Sequence, residues 1–423
     1  MVTVLAAAIL VAEGGPGPED EAEARIEKHR KGDVTVLVES GGRPVRGARV
    51  RLDQTRHAFL FGGNIFMLRP EDPSEAQRGY QERYRELLNY ATLPFYWGSY
   101  ERERGKPDED RLRRMARWCR ENGIHVKGHP VVWHEVFPKW VGEEEPMGTL
   151  LERRIGETVG RFVGLVDWWD VVNESLVAPN HKNPYGAWVK KVGPAEAVEK
   201  CLRWAAKANP RGYFLVNDFK VDPEYEKELS FLRERGAPFH AVGIQSHMHS
   251  GEWTMDRVWQ VCESYARIGL PIHFTEVTVL SGPKEKPMRD WHSRRPDWRT
   301  TPEEEARQAD YVERFYTLLF SHPAVEAITW WDFSDAGSWM GAPAGFLRRD
   351  MSPKPVYERL KARIRGSWWT RGAEASTGED GRARLRGFHG AYRATVVPPG
   401  GGTGKTVEFE IRRGAENRVR VEF

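Results

Sequence analysis

Trp169-Asp-Val-Val-Asn-Glu174 is an apolar and aromatic run that stops abruptly at an amide and a carboxylate. Its hydrophobic residues are consecutive rather than alternating, as in a parallel strand covered on both faces, and functional side chains in such folds stand at the strands' carboxyl ends. A second run of this kind, Pro271-Ile-His-Phe-Thr275, is followed by Glu276. Two carboxylates on two strand ends fit the cleavage of a glycosidic bond. One carboxyl delivers a proton to the leaving oxygen, and the other places negative charge beneath the developing oxocarbenium ion. On this reading Glu174 is the general acid, Asn173 beside it holds a sugar 2-hydroxyl, and Glu276 is the nucleophile. Charged residues make up 30% of the chain and most such groups are solvated, so position at a strand end singles these two out.

Outward from this stretch, eight short apolar runs recur, at 59–63, 92–97, 125–132, 166–172, 213–216, 241–244, 271–275 and 327–331. Between them lie segments with apolar residues at helical spacing, such as 110–121, 195–208, 223–235 and 254–268, which begin near Pro or acidic residues. The alternation predicts a (β/α)8 TIM barrel over residues 56–365. Polar and aromatic residues cluster at the expected strand ends: His129, Trp133 and His134; Asn173 and Glu174; Asn217 and Asp218; Gln245 and His247; Glu276; Trp331 and Trp339. Trp97, Trp133, Trp331 and Trp339 are expected to stack on a pyranose ring, and the remaining aromatics to fill the core.

The motifs Lys127-Gly-His-Pro-Val-Val-Trp-His134, Trp169-Asp-Val-Val-Asn-Glu174, Val216-Asn-Asp218, Val242-Gly-Ile-Gln-Ser-His247, Phe274-Thr-Glu276 and Trp330-Trp-Asp-Phe-Ser-Asp335 follow one another in that order. As an ordered set they resemble glycoside hydrolase family 10, the retaining endo-β-1,4-xylanases. The resemblance implies that Glu174 is the acid/base and Glu276 the nucleophile, and that His129, Asn173, Gln245 and His247 shape the central sugar site. By the same resemblance Trp331 and Trp339 correspond to sugar-covering tryptophans. Two departures accompany it. At the second strand end the family carries a Glu-Asn pair and a Lys-Trp, whereas this chain reads Ala91-Thr-Leu-Pro-Phe-Tyr-Trp-Gly98; Trp97 remains and Tyr96 stands in the lysine's place. Two residues beyond the nucleophile the family has Asp, and this chain has Thr278. Xylan is therefore the first expected substrate, with another β-linked glycan or β-glycoside as the alternative under the same mechanism. A non-catalytic carbohydrate-binding barrel would lack one of the two carboxylates.

Acid/base and nucleophilic catalysis by two glutamates calls for no cofactor and no metal. His247-Met-His249 with His240 has the composition of a metal cluster, but no third ligand falls at a persuasive spacing, and a hydrogen-bonding role is expected. The net charge of +3 comes from interspersed acidic and basic residues, which argues against a nucleic-acid surface, and no span is long enough for a membrane. The expected partner is a poly- or oligosaccharide substrate, and the protein is expected to be a monomer. Cys119, Cys201 and Cys262 fall on apolar helix faces as small hydrophobes. Residues 2–12 resemble the core of an export signal without its basic leader, or else a tail within 1–18; a polymeric substrate favours secretion.

The two ends read as β structure. Residues 33–52 alternate around a Gly-Gly turn, a hairpin signal, and 381–386, 391–397, 406–411 and 418–423 alternate likewise. An isolated hairpin is marginal, so segments 19–55 and 366–423 are expected to combine into one small β-sandwich-like domain, a buttress or a carbohydrate-binding module. The polar, Pro-rich connection 282–302 carries Trp291 and Trp298, either of which would contact the leaving sugar or pin the loop to the barrel.

Overall fold

The computed structural model describes residues 17–284 and 290–423. The export-signal reading of residues 2–12 and part of the 282–302 connection lie outside them. Eight strands, Leu60–Asn64, Tyr90–Pro94, His125–His129, Trp168–Asn173, Tyr213–Asp218, Ala241–Ile244, Ile272–Val279 and Val325–Trp330, each pair in parallel with the next. The eighth pairs with the first through Ile328 and Phe61, closing the barrel. Helices follow the strands and start on side-chain caps: Ser74 accepts from the Gln77 amide, Asp222 from Glu224 and Tyr225, and Thr301 from Glu304. The helix Pro302–Ser321 buries Val312, Phe315, Tyr316 and Leu319 against the barrel. A Cβ on Gly128 would stand 2.3 Å from the Trp169 ring, so glycine in the third strand is what lets this indole pack across it against Phe95 and Phe162. Among the described residues no helix is long and apolar enough to cross a membrane.

Strand ends depart from the sequence reading where function begins. The second strand stops at Pro94, and Trp97–Tyr100 form a helical turn beyond it. The seventh strand runs on to Val279, so Glu276 lies inside it rather than past its end. There the register against the eighth strand breaks between Phe274 and Val277, which gives Glu276 room to face the barrel mouth.

Residues 22–30, expected in the amino-terminal β segment, form a helix, Ala22–Arg30. Its only buried side chains, Ala22, Ile26 and Arg30, recur every four residues. The hairpin signal at 33–52 also resolves differently. Lys31–Ser40 turns at Gly41 and Gly42, both with positive φ, and pairs with only Arg43–Pro44, after which Arg49–His57 crosses to a second sheet. Proline at 44 lacks the N–H that a longer ladder needs.

Strands from the two chain ends interleave. Lys31–Ser40 lies between Arg382–Phe388, antiparallel, and Asn417–Glu422, parallel. Arg49–His57 lies between Arg371–Ser376 and Gly390–Val397, with Lys405–Ile411 at the edge. The two four-stranded sheets enclose their own core of Val34, Val36, Val50, Leu52, Tyr392, Ala394 and Val396 among others. The buried Arg30 ties this sandwich to the barrel, donating to the carbonyls of Phe320, His322 (2.6 Å) and Val325 (2.7 Å) while its guanidinium lies over Phe59. Phe59 and Val325 stand where the first and eighth strands begin. The sandwich therefore caps the amino-terminal end of the barrel, opposite both glutamates, which is the position of a buttress.

Candidate active site

Asn173 ends the fourth strand, and Glu174 follows with φ of +55°, a left-handed turn that swings its carboxyl over the barrel mouth. Such a conformation is costly outside glycine and is held here by neighbours. The Glu174 amide donates to the Asn217 carbonyl at 2.9 Å. Its carboxyl accepts from Gln245 (2.9 Å) and Asn173 (3.1 Å) on one oxygen and from the Trp133 indole (3.0 Å) on the other. Burial dominates nonetheless and raises its pKa to about 8, with the nearby Glu276 and Asp218 pushing the same way. Glu174 is thus protonated at neutral pH.

Glu276 has the opposite disposition. Burial raises its pKa, but His129, His247 and the Asn217 amide outweigh that and leave it below the ordinary carboxylate value. Asn217 donates to one oxygen at 2.8 Å and His247 Nε2 to the other at 3.1 Å, while His129 Nε2 stands 3.7 Å from the first. Asn217 also donates to the Asn173 side-chain oxygen (2.7 Å), which Gln245 reaches from the other side at 3.2 Å. A continuous chain of amides thereby links Glu276 to Glu174 across the fourth, fifth and sixth strand ends.

Several of these contacts rest on residues that the motifs contain but whose roles the sequence did not reveal. His129 Nδ1 donates to Asp170 at 2.8 Å, and Asp170 pairs with Lys127 at 2.6 Å, all three fully buried inside the barrel. Burial pushes the Asp170 carboxyl up, yet Lys127 and His129 leave it below its usual value. Polar residues at inward positions of two adjacent apolar strands, Lys127 and Asp170, are the signal that points to this pair. Thr278 bonds His247 Nδ1 at 2.9 Å. A neutral hydroxyl here holds the ring whose Nε2 faces the nucleophile. Ser175 donates to the buried Glu228 at 2.7 Å directly behind the acid/base.

The aromatic residues divide. Tyr96 is brought into the site: its ring meets His129 at 5.5 Å and Trp133 at 5.6 Å, and burial together with Glu276 and Glu174 keeps its phenol protonated far above neutrality. Trp331 packs edge-on to His129 (5.2 Å), His247 and Phe66, and Trp339 lies 5.0 Å from His247. Trp97 is not brought in. It is buried, donates to Glu101 at 2.9 Å, and packs on Phe137 and Trp140, because the helical turn after Pro94 points it into the barrel wall. In the long connection, Trp291 is exposed and stacks on Trp339, whereas Trp298 donates to the Pro283 carbonyl and packs beside Leu280 and Ala342. His247 is hydrogen-bonded to Glu276 and Thr278.

A protonated and an ionised carboxyl, side by side at the carboxyl face of a (β/α)8 barrel and walled by indoles, define a glycoside hydrolase. The chain belongs to glycosyl hydrolase family 10, whose family model matches residues 84–363. It is similar to the anti-sigma-I factor RsgI6 of Acetivibrio thermocellus, 28% identical over 394 residues, covering 90% of this chain and 47% of that protein. It is also similar to endo-1,4-beta-xylanase B of Thermotoga neapolitana, 28% identical over 329 residues, covering 72% of this chain and 87% of that one. Among solved structures, xylanase 10B of Thermotoga petrophila RKU-1 in complex with xylobiose superposes with a TM-score of 0.61 at 25% identity, covering 73% of this chain and 95% of the other.

Proposed function

We propose that this protein is a retaining endo-β-1,4-xylanase. The observation that carries the reading is the opposed ionisation of Glu174 and Glu276 within one hydrogen-bonded amide chain. Glu276 attacks the anomeric carbon while Glu174 protonates the departing oxygen, giving a covalent glycosyl-enzyme. Glu174, now ionised, takes a proton from water, which releases the sugar with retained configuration. The xylanase names of relatives and the xylobiose-bound neighbour support xylan as the polymer. A second reading, a shorter or different β-glycan, rests on Tyr96. Its ring fills space beside His129 and Phe66 where a lysine resembling the family's would offer a charged donor. A polymeric substrate also implies action outside the cell, which activity in culture supernatant against cell lysate tests.

Azide separates the two carboxylates. With an aryl β-xyloside bearing an acidic leaving group, Glu174→Ala should accumulate glycosyl-enzyme, and azide should rescue it as a glycosyl azide of retained configuration. Glu276→Ala should be rescued, if at all, with inversion. An inverted azide from Glu174→Ala would exchange the two roles. Initial rates on xylan, mixed-linkage glucan and aryl glycosides decide between the two substrate readings.

A further inference from the structure

Beside the acid/base, three side chains converge that the reaction does not use. The ligand atoms of His134, Glu135 and His181 all lie within 4.8 Å of one another. The His134 and His181 rings face each other at 3.7 Å. His134 is almost fully buried and its Nδ1 has no hydrogen-bond partner, an expensive state for a polar nitrogen that a ligand would relieve. Glu135 and His181 are only partly buried, so the cluster is reachable from solvent. His292 Nδ1, 4.0 Å from Glu135 Oε2, is a fourth group in reach.

We propose that His134, Glu135 and His181 form a site for a divalent transition-metal ion of the zinc class. Two imidazoles and a carboxylate are the donor set of many three-ligand zinc sites, in which ligand atoms stand about 2.1 Å from the metal and therefore about 3.4 Å from each other. The 4.8 Å limit on their separations leaves the three ligand atoms to draw together by side-chain rotation. The local backbone is held for it: Asn183 donates to the His134 carbonyl at 2.7 Å and caps the helix Pro184–Val192, fixing the loop that carries His181 against the one that carries His134.

His134 Nε2 is 3.6 Å from Glu174 Oε2, the oxygen that also receives the Trp133 indole, so the unpartnered Nδ1 is the nitrogen left to take the ion.

Chelator-stripped full-length protein titrated with zinc chloride by calorimetry at pH 7 should bind one ion, and both His181→Ala and Glu135→Gln should weaken that binding at least about tenfold. The three cysteines are buried and do not compete. Absence of a one-to-one site in the wild type, or equal affinity in both variants, would overturn the site. Because calorimetry reads binding without turnover, loss of the xylanase reading leaves the metal site testable.

Discussion

Replacing Gln245 with leucine should shift one limb of the pH profile and leave the other in place. The change keeps the side chain's size and removes the amide that donates to Glu174 at 2.9 Å. Burial holds the Glu174 pKa at about 8, and the Gln245 hydrogen bond is the largest influence that lowers it. A hydrogen bond to a charged acceptor is worth about 1.5–3 kcal/mol, and one pH unit corresponds to about 1.4 kcal/mol. Its loss should move the alkaline limb upward by about one to two pH units. The sign follows from the role: Glu174 acts protonated, so activity falls as pH rises through its pKa, and removing a donor that favours the ionised form postpones that fall. The acid limb belongs to Glu276, whose carboxyl is held by His129, His247 and Asn217; its amide meets only the Gln245 main-chain carbonyl, at 3.1 Å, which leucine keeps. Asn173 keeps its bond from Asn217, so the orientation of the nucleophile survives. The measurement is kcat/KM on a xylo-oligosaccharide from pH 4 to 10, where both limbs report the free enzyme. An alkaline limb that stays put or moves down would refute the assignment of Glu174 as the buried acid.

Other outcomes follow from single contacts. Gly243→Ala would place a Cβ 2.5 Å from the Asn217 side-chain oxygen and 3.0 Å from the Val216 carbonyl, displacing the amide that holds Glu276, and should lower kcat by about 10²-fold together with a fall in melting temperature. Glu228 is neutral in the fold because burial raises its pKa to about 8, against an ordinary 4.5, so the stability tied to it is present below pH 4.5 and lost as pH rises through 8. Glu228→Gln should therefore flatten the decline of melting temperature between pH 5 and 9, and parallel curves for variant and wild type would exclude this. Arg30→Ala strips three carbonyls of their buried donor and should cost about 3 kcal/mol or more in chemical denaturation, leaving kcat/KM of the folded enzyme unchanged because the sandwich lies at the far end of the barrel.

The barrel and its two glutamates were legible in the sequence because both depend on local order. Consecutive apolar residues ending in Asn-Glu mark a strand buried on both faces and the point where it meets solvent, whatever lies beside it. Helices such as Pro223–Glu234 announced themselves through a capping Asp, a first-turn Pro and apolar periodicity. What the sequence left open depends on which groups meet across strands. Trp97 and Tyr96 are neighbours in the chain, yet a single helical turn after Pro94 sends one into the wall and the other toward the carboxylates. The amino-terminal segment alternated like a hairpin, but its strands part because each finds a better partner in the carboxyl-terminal segment, including a parallel one that spacing along the chain does not reveal. Only the tertiary structure decided the ionisation of the two glutamates. Burial penalises both charges equally in kind; Glu276 meets two histidines and stays ionised, whereas Glu174 meets neutral donors and keeps its proton. That difference is made by groups 29 to 147 residues away from the carboxylate they touch, brought within hydrogen-bonding distance by closure of the barrel.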